Sequence, residues 1–190
     1  MEPVSLYIDL GSPYAYLAVA RAEAVFGQPP ALEPVLLGAI FRLRGSGSWS
    51  QTAQRANGIA EVERRASAYR LPPVVWPEGW PLDGLRMMRA ATWAKQENMI
   101  DAFAEAVFAQ QFVNGRDLSG VDALAVVAEE VGLRGDDLRA AVDSPAVKDQ
   151  LKSATARAWE LGVHGVPTAR VGQRLFYGDD QLEVAAAHTR

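Results

Sequence analysis

No cysteine occurs among the 190 residues. That absence excludes disulfide bonds, thiolate metal sites and any redox or nucleophilic role for a sulfur of this chain. Imidazole is almost as scarce. His164 and His188 are the only two histidines, and His188 falls in a terminal stretch expected to fray. So small a supply does not fit a histidine zinc site or a Ser-His-Asp triad. No run approaches the ~20 apolar residues of a membrane span, and the N-terminus lacks a basic stretch followed by an apolar one. A cytoplasmic location without membrane contact is the expectation. Positive charge is short too: 19 Lys and Arg face 23 Asp and Glu, for a net charge of −4 and a pI near 5.2. Arg64 and Arg65 sit among acids as on a solvated helix face, and no basic stripe marks a nucleic-acid binder.

What is present is a globular composition, 49% hydrophobic and 22% charged, enough for one domain or one domain with a large insertion. The organising stretch is Tyr7-Ile8-Asp9-Leu10-Gly11-Ser12-Pro13-Tyr14-Ala15-Tyr16-Leu17-Ala18. Residues 4–10 are apolar and β-prone and read as a buried strand. Gly11 breaks it, and Ser12-Pro13 has the signature of a helix start, serine capping free amides and proline losing no needed hydrogen bond. Residues 14–26 then suit a helix closed by Gly27. A strand thus delivers a hydroxyl to a helix N-terminus, where free N–H groups and the macrodipole favour a negative atom. Two readings of Ser12 stand side by side, a plain cap and a functional hydroxyl. Ser144-Pro145 repeats the same start with no sign of chemistry.

Residues 32–37 read as a second strand, parallel to the first across the helix. Gly38 to Leu43 begins a short turn or helix, broken by Gly45-Ser46-Gly47-Ser48. Residues 53–69 read as a helix. Residues 71–81 carry too many prolines for helix or central strand and hold Trp76 and Trp80 in a rigid loop. These tryptophans either cover the core beneath them or form an apolar wall for an aromatic ligand. From Leu85 onward the pattern is helical. Met99, Phe103 and Val107 lie on one face, Ala104, Phe108 and Phe112 on an adjoining one, with Asn114-Gly115 as the stop. Further helices follow through Leu124 and Val131, over residues 136–142, and from Ser144-Pro145 to Gly162. Residues 169–171 and 174–177 flank Gly172-Gln173 as a β-hairpin. Gly178-Asp179-Asp180 opens a last helix over residues 181–187, its acids placed to cap the first turn.

The order is β-α-β, a run of helices, then β-β-α. This is the thioredoxin-like arrangement, an α/β fold with a large all-helical insertion. Residues 1–40 and 160–190 form the thioredoxin-like domain and residues 41–159 the insertion. Val166-Pro167 stands where that fold places a proline before its third strand.

Asp9-Leu10-Gly11-Ser12-Pro13-Tyr14-Ala15-Tyr16-Leu17-Ala18 resembles the N-terminal motif of the 2-hydroxychromene-2-carboxylate isomerases, a family grouped with kappa-class glutathione transferases and, more distantly, DsbA-type oxidoreductases. Leu37-Gly38-Ala39-Ile40-Phe41, Gly162-Val163-His164-Gly165-Val166-Pro167-Thr168 and Phe176-Tyr177-Gly178-Asp179-Asp180-Gln181-Leu182 are similar to it in the same order. The resemblance implies a cis Val166–Pro167 bond and a homodimer. Where the oxidoreductases carry Cys-x-x-Cys, this chain reads Ser12-Pro13-Tyr14-Ala15, so the sulfur has to arrive from outside. The resemblance implies glutathione as cofactor, its thiolate held by Ser12, its cysteinyl unit paired to the backbone of Val166 before Pro167, and its γ-glutamyl end near Asp179 and Asp180. For those two acids capping remains the other reading. Ser46 stands where the family often has an asparagine contact, and its shorter side chain reaches less far. The implied reaction is isomerisation of an aromatic 2-oxo acid by reversible thiolate addition to a conjugated double bond, with Tyr14, Trp76 and Trp80 against the ring. A kappa-like transferase that consumes glutathione and a non-catalytic thiol- or peptide-binding protein are the alternatives. No metal is expected.

Overall fold

Alternation along the first strand sets the two faces of the sheet. The computed structural model describes residues 2–189. In β1 (Val4–Ile8), Val4, Leu6 and Ile8 enter the main core while Tyr7 enters a second, smaller one with Val35, Ile40, Ala158, Val163 and Val166, as a period of two requires. β1 is central. It pairs in parallel with β2 (Ala31–Pro34) and antiparallel with β3 (Thr168–Val171), and β4 (Arg174–Tyr177) adds the outer edge. Helix α1 (Pro13–Phe26) connects β1 to β2 and ends on Gly27, whose φ of 74° suits a residue without Cβ. The thioredoxin-like reading holds.

The second strand is shorter than residues 32–37. Leu36 N–H donates to Thr155 Oγ1 at 3.0 Å and Leu37 N–H to Asp9 Oδ2 at 2.8 Å, so the backbone leaves the sheet for side-chain acceptors. α2 (Leu37–Arg44) begins there. The boundary between residues 40 and 41 therefore falls inside a helix. The insertion comprises α3 (Arg55–Ala68), α4 (Leu85–Gln96), α5 (Ile100–Phe108), α6 (Val121–Glu130), α7 (Gly135–Asp143) and α8 (Pro145–Glu160). Its apolar residues Phe103, Phe108, Phe112 and Leu124 join the same core as Leu6 and Leu17. Both Ser-Pro starts are capped helices: Ser144 Oγ accepts from Val147 N–H at 3.3 Å, as Ser12 does from Ala15.

One departure is the end of α5, where residues Ala109–Val113 widen into a π-turn. The expected stripe survives, since Phe112 stays fully buried. The extra residue turns Gln111 inward, and its Nε2 donates to the Leu10 carbonyl at 2.9 Å. The insertion and the turn that follows β1 are joined at that bond.

The chain ends on a 3₁₀ turn, Asp179–Gln181, and α9 (Leu182–Ala187). The acids do not cap this helix by their side chains. Asp179, 1% exposed, accepts from Arg65 Nη1 at 2.9 Å and from Tyr69 Oη at 2.9 Å, and its carbonyl accepts from Arg21. The Arg21 guanidinium lies 3.6 Å over the Tyr69 ring. α1, α3 and the C-terminal turn are pinned together at this carboxylate. Removing one side of such a pair leaves the other uncompensated. Asp179→Ala is therefore expected to lower stability by about 2–4 kcal/mol, read from urea unfolding.

Candidate active site

The junction between β1 and α1 forms the floor of the site. Ser12 N–H donates to the Asp9 carbonyl at 3.0 Å, closing a tight turn. Ser12 keeps extended backbone (φ −91°, ψ 118°), and its Oγ accepts from Ala15 N–H at 3.3 Å. Pro13 follows at the first helical position. The hydroxyl, on a residue only 5% exposed, thus lies among the free amides of a 14-residue helix, a setting that favours an anion. The open cavity above it has a volume of about 770 Å³, large enough for a tripeptide-sized ligand and a ring compound.

Four chain segments wall this cavity besides the floor: α2 with the loop after it, the loop before α4, the stretch ahead of β3, and the end of β4. Ser46 contributes to the wall just beyond the Gly45 cap of α2. Val166, 4% exposed, lines it next to its cis bond to Pro167. Tyr14 and Trp80 line it as well. The structure thus brings Ser12, Tyr14, Ser46, Trp80 and Val166 to one cavity. Trp76 stands behind, its ring 4.5 Å from that of Trp80 and its Nε1 donating to Glu63. Pro167 supports Val166 from outside the lining. Asp179 is occupied by Arg65 and Tyr69, and the half-exposed Asp180 side chain lies 3.5 Å from Arg65.

Several lining residues went unread in the sequence. Trp49 sits in the Ser48-Trp49-Ser50 stretch and packs against Tyr14 (6.1 Å, edge-on) and Trp80 (5.5 Å); a lone large aromatic among small polar residues was the available signal. Arg42 and Arg44 make the α2 side of the cavity positive, and Arg44 also donates to the His164 carbonyl at 3.1 Å. Tyr177, 62% exposed, stands at the edge over Gly165, where a Cβ would come within 2.6 Å of its ring.

Asp9 was read only as part of a motif. Its carboxylate is 6% exposed and faces the cavity. Oδ1 accepts from Gly11 N–H and Oδ2 from Leu37 N–H, both at 2.8 Å. One side chain thereby ties the Ser12 turn to the first residue of α2, a helix with no side-chain cap of its own. Burial pushes its carboxyl up to about 6, against the opposing pull of those two amides.

Comparison with known proteins gives these features a family. The profile of the DSBA-like thioredoxin domain matches residues 3–189. A 2-hydroxychromene-2-carboxylate isomerase of Sphingobium xenophagum is 30% identical over 125 residues, 66% of this chain and 63% of that protein's length. Human glutathione S-transferase kappa 1 is 22% identical over 201 residues, spanning 96% of this chain and 88% of that protein. Among solved structures, a 2-hydroxychromene-2-carboxylate isomerase superposes with a TM-score of 0.83 at 22% identity, over 97% of this chain and 92% of that one. The cytosolic disulfide reductase DsbM from Pseudomonas aeruginosa with GSH gives 0.62 at 17% identity, over 95% and 92%. At such identities the structural likenesses speak for the fold.

Two outcomes follow from the site's geometry. Because the folded Asp9 carboxyl titrates above the ordinary value of 3.8, the folded state holds the proton more tightly. Its contribution to stability is full below pH ~4 and is lost as pH rises through about 6. The stability of the wild type relative to Asp9→Asn should therefore fall by up to about 3 kcal/mol between those limits, measured by denaturant unfolding across pH. The second concerns Gly58 in α3, whose missing Cβ would lie 2.2 Å from the Trp49 ring. Glycine to alanine inside a helix ordinarily gains about 1 kcal/mol. Here Gly58→Ala is expected to give no gain and to shift tryptophan emission as the indole is displaced.

Proposed function

The chain belongs to the DSBA-like thioredoxin domain family, and we propose that it is a glutathione-dependent isomerase acting on an aromatic 2-oxo acid. The observation that carries this reading is the replacement of both redox sulfurs by Ser12 and Ala15 at an intact helix start that opens into a roomy cavity. Such a site suits a thiolate supplied by a ligand. The Ser12 hydroxyl donates to that sulfur, and the α1 amides stabilise its charge. Val166 offers its backbone to the cysteinyl unit as one strand to another. Asp179 and Asp180 remain proposed at the γ-glutamyl end, Asp180 with the freer carboxylate. Ser46 lies on the α2 side, and Pro167 holds Val166 in place.

The substrate lies against Tyr14 and Trp80, with Trp76 backing Trp80, and Arg42 and Arg44 supply positive charge for its carboxylate. The thiolate adds to the conjugated double bond, the carbon skeleton rotates about the new single bond, and elimination returns the thiol. Glutathione is not consumed. A second reading has its own support in the match of the human kappa transferase to nearly the whole chain: the same thiolate would then end in a conjugate. Net loss of glutathione during turnover separates the two. No helix among the described residues is long and apolar enough to cross a membrane, and a cytoplasmic homodimer is part of the proposal.

Titration calorimetry with reduced glutathione and with its S-methyl form tests the site. Binding of both is expected, and binding of neither rejects it. Ser12→Ala should lose about 0.5–2 kcal/mol of stability as a cap. Beyond that, it should raise the pKa of the bound thiol, visible as weaker thiolate absorbance in the ultraviolet. Trp80→Leu should raise KM for an aromatic 2-oxo acid and leave glutathione affinity unchanged, since ring stacking contributes ~0.5–1.5 kcal/mol beyond burial.

A further inference from the structure

A thiol bound at Ser12 arrives with a proton, and thiolate chemistry requires that proton to go somewhere. Ser12 cannot take it, being a donor to the sulfur in the proposed arrangement. The charged groups lining the cavity are Asp9, Arg42, Arg44 and Asp83. The two arginines are fully protonated at any relevant pH. Asp83 is exposed, and its Oδ1 accepts from Leu85 N–H, so it stands at the solvent rim and not in the buried floor of the cavity. Of the phenols on the same walls, burial pushes Tyr14 above its ordinary value so that it keeps its proton, and Tyr177 stands at the exposed rim. Asp9 is the buried carboxylate of the set.

We propose that the Asp9 carboxylate accepts the thiol proton at this site and returns it when the sulfur is released. This rests on the reading of the cavity as a thiol site. Three features of the fold support it. Asp9 and Ser12 belong to one turn, closed by the bond from Ser12 N–H to the Asp9 carbonyl, and both line the same cavity. The two amides on Asp9 use one acceptor position of each oxygen, and a carboxylate offers about four, so room for a proton remains. Finally, a thiolate beside an ionised, buried Asp9 would place two negative charges in a desolvated space, which is costly. Moving the proton from sulfur to Asp9 keeps the pair at a single negative charge throughout.

The step balances. The S–H bond breaks, its electron pair stays on sulfur, and the proton forms an O–H bond on Asp9. Sulfur then adds to the substrate carbon, and after the C–S bond breaks the proton returns from Asp9 to the departing thiolate. The acidities allow it. Burial brings Asp9 up to about 6, while a helix N-terminus draws a thiol down from ~8.5. The two acidities thus converge, and groups that share one cavity titrate as a pair.

The test is the proton balance of glutathione binding near neutral pH. Thiolate is counted by ultraviolet absorbance, and proton release is measured by calorimetry in two buffers of different ionisation enthalpy. Wild type is expected to form thiolate while releasing well under half a proton per thiolate. Asp9→Asn, which removes the neighbouring negative charge, should form thiolate at the same or lower pH and release close to one proton for each. One proton released per thiolate in the wild type, or the same balance in both proteins, overturns the assignment. Should Asp9→Asn fail to fold, infrared difference spectra of the wild type decide: a protonated-carboxyl band should grow with glutathione and not with its S-methyl form. No band, or a band with both ligands, overturns Asp9 as the acceptor. Binding of neither ligand removes the proposed function and Asp9's role with it, whereas binding with full proton release removes Asp9 alone.

Discussion

The turn from Asp9 to Ser12 is the constraint on which the rest of the site depends. Its position is set three times over: by the pairing of β1 between two neighbours, by the Gln111 bond to the Leu10 carbonyl, and by the Asp9 carboxylate bridging Gly11 and Leu37. Leu10 N–H also faces the Met88 sulfur at 3.1 Å, a further tie from α4 to this turn. A helix start can stabilise an anion only if the donors point at it before it arrives. Here four separate elements hold the donors in place.

The fold was legible because its signals are local. Capping by Ser12 and Ser144, the glycine stop at Gly27 and the two-residue hairpin turn at Gly172-Gln173 all follow from backbone preferences of single residues. Pairing of β1 with β3, by contrast, spans most of the chain, and only the likeness of the whole element order to a known arrangement could suggest it. Ser12, Tyr14, Val166 and Trp80, which line the cavity, each sit in or beside a marked stretch of sequence.

What stayed hidden was partnership. Asp179 reads as a ligand contact or a helix cap from its place at a helix start, yet Arg65 and Tyr69, more than a hundred residues away, take its carboxylate. Asp9 reads as the tail of a strand, and only the approach of α2 reveals its two amide contacts. The π-turn at Ala109–Val113 keeps the apolar stripe intact while altering which polar residue faces inward, so periodicity could not announce it. Trp76 and Trp80 looked equivalent in one loop; packing separated them into a wall and its backing.

The cavity's walls have unequal origins, and that has an evolutionary corollary. The floor comes from a strand end, a helix start and the Val166 segment, all tied into the central sheet. The opposite walls come largely from residues 46–51 and 80–85, segments whose lengths do not alter any strand register. Loops of this kind accept insertions and substitutions at low cost to the scaffold. Lineages sharing this frame can therefore vary those loops while the strand-and-helix floor of the cavity stays unchanged, and divergence among relatives should concentrate in those two loops.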